Sequence, residues 1–155
     1  MGKAKHFAAG LCAAALLAGT PAAAQSDVES AEKIRRLDIM LMVTALRCRF
    51  GADNFQADYE AFSARHLSTL NDAGQRLTEE LSARHGPQGA KRALDRLMTG
   101  MANGYGMGHP TMDCGQLKQA AQGLAYETAS HNLVAAADVL LDGQPRGDLH
   151  ALALR

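Results

Sequence analysis

The side chains of this chain best suited to chemistry are thioethers, an imidazole and two thiols. Met98, Met101, Met107, His109 and Met112 crowd into one short span. Thioether plus imidazole is the donor set that suits Cu(I), so Met107, His109 and Met112 are the candidate metal ligands and copper is the ion they would take. Met98 and Met101 fall instead on the apolar face of a predicted helix, where methionine is ordinary core filler. Cys48 and Cys114 form the second pair. A disulfide between them is the expected reading if the chain is exported. If reduced, Cys114 would sit in a first helical turn, whose amides favour a reactive thiolate. No CxxC accompanies either cysteine, and no CxxCH haem-attachment site is present. Arg47 and Arg49 flank Cys48 and are a candidate anion site. Gly104-Tyr105-Gly106-Met107-Gly108 has the look of a phosphate loop, but it follows a helix where that motif follows a strand. It reads as a helix stop and a connection. His66 lies between Phe62 and Leu70 on an apolar stripe and reads as a packed core histidine. His85, His131 and His150 form no metal spacing, and Arg146-Gly147-Asp148 is too short a match to weigh.

The N-terminus decides the redox argument. Lys3 and Lys5 precede an apolar run from Phe7 to Ala18, a break at Gly19 to Pro21, and Ala22-Ala23-Ala24. This is the pattern of a secretory signal peptide over residues 1–24, with cleavage expected after Ala24. Cys12 would leave with it; its neighbour Leu11 is not the small residue that lipoprotein processing requires. The apolar run is shorter than the roughly 20 residues needed to span a bilayer, and no later run is longer, so no transmembrane segment is expected after cleavage. Periplasmic or secreted localisation follows, with an envelope protein as the kind of partner to look for. Loss of Lys3 and Lys5 reduces 16 basic residues to 14 against 16 acidic ones. That balance gives no electrostatic footprint for nucleic acid or an anionic membrane.

The elements that must position these residues are helices. Ser26 with Glu29, Asp53 with Gln56, and Asp113 with Gln116 each have capping-box spacing, predicting three helix starts. Ile34, Leu37, Leu41, Thr44 or Ala45, and Cys48 recur at three- and four-residue steps. Met40, Met42, Val43 and Leu46 widen that stripe until the helix must be surrounded by others. On this helix Arg35, Arg36, Arg47 and Arg49 read as solvated charge, and Asp38 as a surface partner of the first two. A second helix runs from Phe55 towards Arg84 with a kink expected near Asn71 to Gly74, and Gly86-Pro87 closes it. A third carries Leu94, Leu97, Met98 and Met101. The fourth starts at Cys114, with a break expected at Thr128 to Asn132 and a stop at Asp142-Gly143. No segment alternates as a strand would. The expectation is an all-α fold, a four- to five-helix antiparallel bundle stapled by one disulfide, with a helical domain at 25–143 and a tail at 144–155.

The runs LDIMLMVTALRCR (Leu37 to Arg49), GADNFQADYEAF (Gly51 to Phe62) and ALDRLMTGMANGYGMGHP (Ala93 to Pro110), with Cys114 and LLDG (Leu140 to Gly143), resemble a group of small exported, all-helical bacterial proteins. Some of these carry the label S-adenosyl-L-homocysteine hydrolase. That label implies an NAD-dependent enzyme with a dinucleotide-binding fold, whereas this chain has no strand–glycine–helix unit and no length for two domains. The label is expected to be a transferred name, and no catalytic residue is carried over. The function expected from the sequence is a noncatalytic exported domain binding a ligand or partner in the cell envelope, with no cofactor. Copper binding and the labelled enzyme are the alternatives.

Overall fold

A computed structural model describes residues 21–141, with side chains from residue 25. The expected signal sequence up to residue 20, the stop at Asp142-Gly143, the 144–155 tail, Arg146-Gly147-Asp148 and His150 lie outside the described residues. Within them the chain is all-helical, with five helices and no strand: α1 (Pro21–Cys48), α2 (Gln56–Arg65), α3 (Leu67–Gly104), α4 (Cys114–Tyr126) and α5 (Ser130–Leu140).

α1 is the axis. Leu37, Met40, Leu41 and Ala45 are buried, and so is Ile39 on another side of the helix. α1 packs chiefly on α3 and also meets α2, α4 and α5, while α2 packs on α4. The contacts give the directions. Tyr59 bonds Asp38 and Arg76 pairs with Asp27, so α2 and the first half of α3 run antiparallel to α1. Gly86 then interrupts α3 at φ 68° and ψ 168°, a backbone region that is essentially glycine's alone. Pro87 opens the returning half, where its missing N–H costs nothing. The two halves clasp each other through a small separate core of Leu81, Ala90 and Ala93 against Leu94. Leu97, Met101 and Tyr105 then rejoin the main core, which Phe55, Phe62, Leu70, Leu77, Leu117, Ala121, Leu133 and Ala137 complete.

The Cys48–Cys114 disulfide is formed, with the two Cα atoms 5.9 Å apart. It joins the last residue of α1 to the first of α4. Asp113 and Gln116 make the predicted reciprocal cap: the Gln116 amide donates to Asp113 Oδ1 at 2.8 Å, and the Asp113 amide donates to Gln116 Oε1 at 3.0 Å.

Four expectations are corrected. α1 begins at Pro21, so Ser26 and Glu29 lie inside a helix that is already running and do not start it. Asp53 does not cap α2; Phe55 occupies the cap position, and Asn54 Oδ1 takes the Gln56 amide at 3.0 Å. The break in the second helix falls at His66, with Asn71 to Gly74 unbroken helix, because the His66 ring is drawn inward to a carbonyl of α4. Finally, Arg36 and Asp38 are 8% and 7% exposed, and so are not solvated charge. α1 is covered on enough sides that its charged residues are enclosed with it, and they persist there because each has a partner.

Candidate functional site

The enclosed polar groups hold the fold together. Arg35 Nη1 donates to Asp38 Oδ2 at 2.8 Å, and the Tyr59 hydroxyl donates to Asp38 Oδ1 at 3.1 Å. Burial raises the Asp38 carboxyl above its ordinary range, opposed by the Arg35 charge and the Tyr59 hydrogen bond. Tyr59 is pushed up to about 12, by burial first and then by the carboxylate beside it. Arg36 pairs with Glu32 at 2.8 Å. Tyr105 is raised by burial, which the charge of Arg36 opposes. Thr44, fully buried, donates back to the Met40 carbonyl at 2.7 Å. His66 is 5% exposed and its Nε2–H donates to the Leu124 carbonyl at 2.8 Å. That is the core role its place on the stripe suggests.

At the end of the bundle where α1 stops and α4 starts, the glycine loop comes up beside the disulfide. Arg47 Nη1 donates to the Gly106 carbonyl at 3.3 Å. Gly108 has φ +104°, and a Cβ there would stand 3.2 Å from Arg47 Nε. The loop therefore needs glycine both for its backbone and for the arginine lying across it. Arg49 turns back to donate to the Leu46 carbonyl at 2.9 Å, and its guanidinium carbon sits 4.3 Å from the centre of the Phe50 ring. Arg47 and Arg49 are thus on one surface but engaged by different partners. Neither has an ion-pair carboxylate among the described residues, unlike Arg35, Arg36, Arg76 and Arg84.

The candidate metal ligands are set out differently from one another. Met107 is 85% exposed, whereas Met112 is partly buried against the main core. His109 lies between them with both ring nitrogens occupied. Nε2–H donates to the Leu140 carbonyl at 2.8 Å, and Nδ1 accepts the Met112 amide at 3.1 Å and the Thr111 amide at 3.3 Å. These partners make Nε2 the ring's donor and Nδ1 its acceptor. A metal would have to displace one set. The Tyr105 ring stacks on His109 at 6.1 Å, so His109 ties the glycine loop to the end of α5. Among the described residues no group of three or more His, Cys, Asp and Glu is placed to hold a metal ion.

Sequence reasoning does not single out Phe50, which is 87% exposed one residue past Arg49. With half-exposed Leu46 and with Met107 it makes this end apolar at its surface. The signal that could have found it is a phenylalanine directly before Gly51, beyond the end of the apolar stripe. Elsewhere, Asp27, Val28, Arg76, Glu79 and Glu80 line an open cleft of about 310 Å³ between α1 and α3. The Asp27–Arg76 pair spans it at 3.6 Å. No described helix is long and apolar enough to cross a membrane.

No protein-family model, curated protein or solved structure matches the chain.

Proposed function

We propose that this is an exported, noncatalytic helical domain that binds a partner in the cell envelope, and that the bundle end carrying Cys48 and Cys114 is the face it uses. The observation that carries the reading is Phe50 and Met107 held out in solvent beside Arg47 and Arg49, which lack carboxylate partners among the described residues. Apolar side chains grouped at one end of a surface, and rimmed by polar ones, are the pattern that marks an interaction site. The chemistry of the interior supports the same reading. Asp38, Tyr59, His66 and His109 are the groups a catalytic mechanism would recruit, and all are committed to bonds that join one helix or loop to another. Export is supported by the N-terminal pattern and agrees with a disulfide placed where it staples two helix ends.

A photoreactive phenylalanine analogue at position 50 tests the face. Irradiation of cells should give adducts with an envelope component, and the same group at Arg92, on the exposed surface of α3, should give none. Equal labelling from both positions, or none from position 50, overturns the reading. An intact mass of the non-reduced protein checks export independently: the expected chain begins at Gln25 and is lighter by two hydrogens.

A further inference from the structure

We infer that Met107 is a site of reversible oxidation, the thioether through which this chain reacts with hydroperoxides. The methionines are graded by cover. Met40 is fully buried, with the Thr44 hydroxyl 4.0 Å from its sulfur, and Met101 is 5% exposed. Met42, Met98 and Met112 are partly covered, the last two against the main core. Met107, at 85% exposure, is the one exposed methionine among the described residues. Gly106 and Gly108 flank it, so neither chain neighbour brings a side chain to shield the sulfur. A thiol would compete for the peroxide, but Cys48 and Cys114 are bonded to each other and have no thiolate to offer as nucleophile. Met107 is therefore the accessible nucleophilic sulfur of the described chain.

The step is a two-electron oxygen transfer. A lone pair on the Met107 sulfur attacks the terminal peroxide oxygen, the S–O bond forms as the O–O bond breaks, and the proton on the transferred oxygen passes to the departing one. Sulfur is oxidised to the sulfoxide, and the hydroperoxide is reduced to an alcohol, or to water where it is hydrogen peroxide. Solvent around an exposed sulfur relays that proton, whereas the sulfurs of Met40 and Met101 belong to the main core. Oxidation there would also enclose a sulfoxide oxygen among apolar side chains, which is unfavourable without a hydrogen-bond donor. At Met107 the new oxygen faces water, and the loop is held by bonds that do not involve the sulfur. Arg47 donates to the Gly106 carbonyl, the Gly108 amide to the Tyr105 carbonyl at 2.9 Å, and His109 to the Leu140 carbonyl. The fold therefore survives the oxidation, and a sulfoxide reductase reaches the product, which makes the change reversible. What changes is the surface, where a flexible apolar tip becomes polar.

The test treats envelope-purified protein, disulfide intact, with dilute hydrogen peroxide and locates the added oxygen by the masses of proteolytic peptides. The folded chain should gain one oxygen, at Met107, before Met98 or Met112 is touched, and should keep its helical circular dichroism. In urea the cover is gone, so Met40 and Met101 should take up oxygen alongside Met107. Methionine sulfoxide reductases of both epimer specificities should return the folded protein to its starting mass. Met107→Leu should stay at its starting mass under the exposure that oxidises the parent, and its exposed position keeps the substitution from disturbing the core. Oxygen shared equally among Met98, Met107 and Met112 in the folded chain overturns the inference, as does the same selectivity in urea as in buffer, loss of helix with the first oxygen, or a product that the reductases leave unchanged. These masses are read on the protein alone, so the oxidation site stands or falls separately from the binding face.

Discussion

Tyr59 and Tyr105 are both drawn into the interior around α1, but replacing each with phenylalanine has opposite expected results. The Tyr59 hydroxyl donates to Asp38, so Tyr59→Phe leaves that carboxylate with one partner fewer and should cost about 1–2 kcal/mol in urea unfolding. The Tyr105 hydroxyl is buried without a hydrogen-bond partner among the described residues. Tyr105→Phe should therefore hold or slightly raise the melting temperature. The same pair is visible in alkali. Tyr59 keeps its proton more tightly in the fold than in the unfolded chain. The stability this contributes is intact below the ordinary phenol value of 10.0 and is lost as pH rises through about 12. Ultraviolet titration should show a phenol ionising that late, and Tyr59→Phe should remove that transition and its share of the alkaline loss of stability, leaving the share of Tyr105, which burial also raises. His109 is the other residue with a defined cost. His109→Ala abandons the Leu140 carbonyl and the Met112 and Thr111 amides together. A loss of about 2–3 kcal/mol is expected, with hydrogen exchange accelerating first at those two amides. Asp38 and Arg36 read as surface charge from sequence because charged residues are seldom buried. Their partners are nonetheless legible as spacing: Glu32 lies four residues before Arg36, and Arg35 three before Asp38, both helical neighbours.

Glycine separates the helices that bend from those that do not. Gly86 has φ +68°, whereas Gly74 is helical, with nothing within 4 Å of where a Cβ would stand. Gly86→Ala should therefore destabilise by about 1–3 kcal/mol, and Gly74→Ala should stabilise by roughly 0.5–1 kcal/mol; thermal melts of the two variants against the parent measure both. The sequence points correctly to Gly86-Pro87 and wrongly to Asn71 to Gly74, because a lone glycine is only a weak breaker when the rest of the turn is helical. The actual break at His66 comes from a bond to Leu124, 58 residues away in sequence. No local pattern encodes that. Capping shows the same division. Three stretches have identical spacing, and only Asp113 with Gln116 closes the reciprocal bonds. At Asp53 a neighbouring asparagine takes the amide, and at Ser26 the helix is already under way. Stripes and stops are legible because they follow from the helix period. The proposed binding end is only half legible: Arg47 and Arg49 stand out by flanking a cysteine, while the exposure of Phe50 depends on how α1 ends and how the glycine loop is folded beside it.

At the scale of the molecule the disulfide is the longest-range covalent constraint in the described chain, its cysteines separated by 66 positions. In the chain-entropy account such a closure stabilises by up to about 4 kcal/mol, a large share of the roughly 5–15 kcal/mol that holds a domain together. Cys48→Ala with Cys114→Ala should accordingly lower the urea midpoint sharply while leaving the far-ultraviolet spectrum helical at low denaturant. The bridge stands at one end of the bundle, whereas the turn at Gly86 is supported by the small core of Leu81, Ala90 and Ala93 with Leu94 against it. Few apolar contacts mean a low local opening energy, which makes that turn a place where a protease would find accessible backbone. Gly86 falls between the two cysteines in sequence, so a cut there opens a ring and does not release a fragment. The nicked protein would keep its mass apart from one added water, run as a single species without reductant, and separate into two polypeptides only when reduced. For a domain exposed to proteases, Cys48–Cys114 is then a retaining clip that keeps a severed chain in one piece.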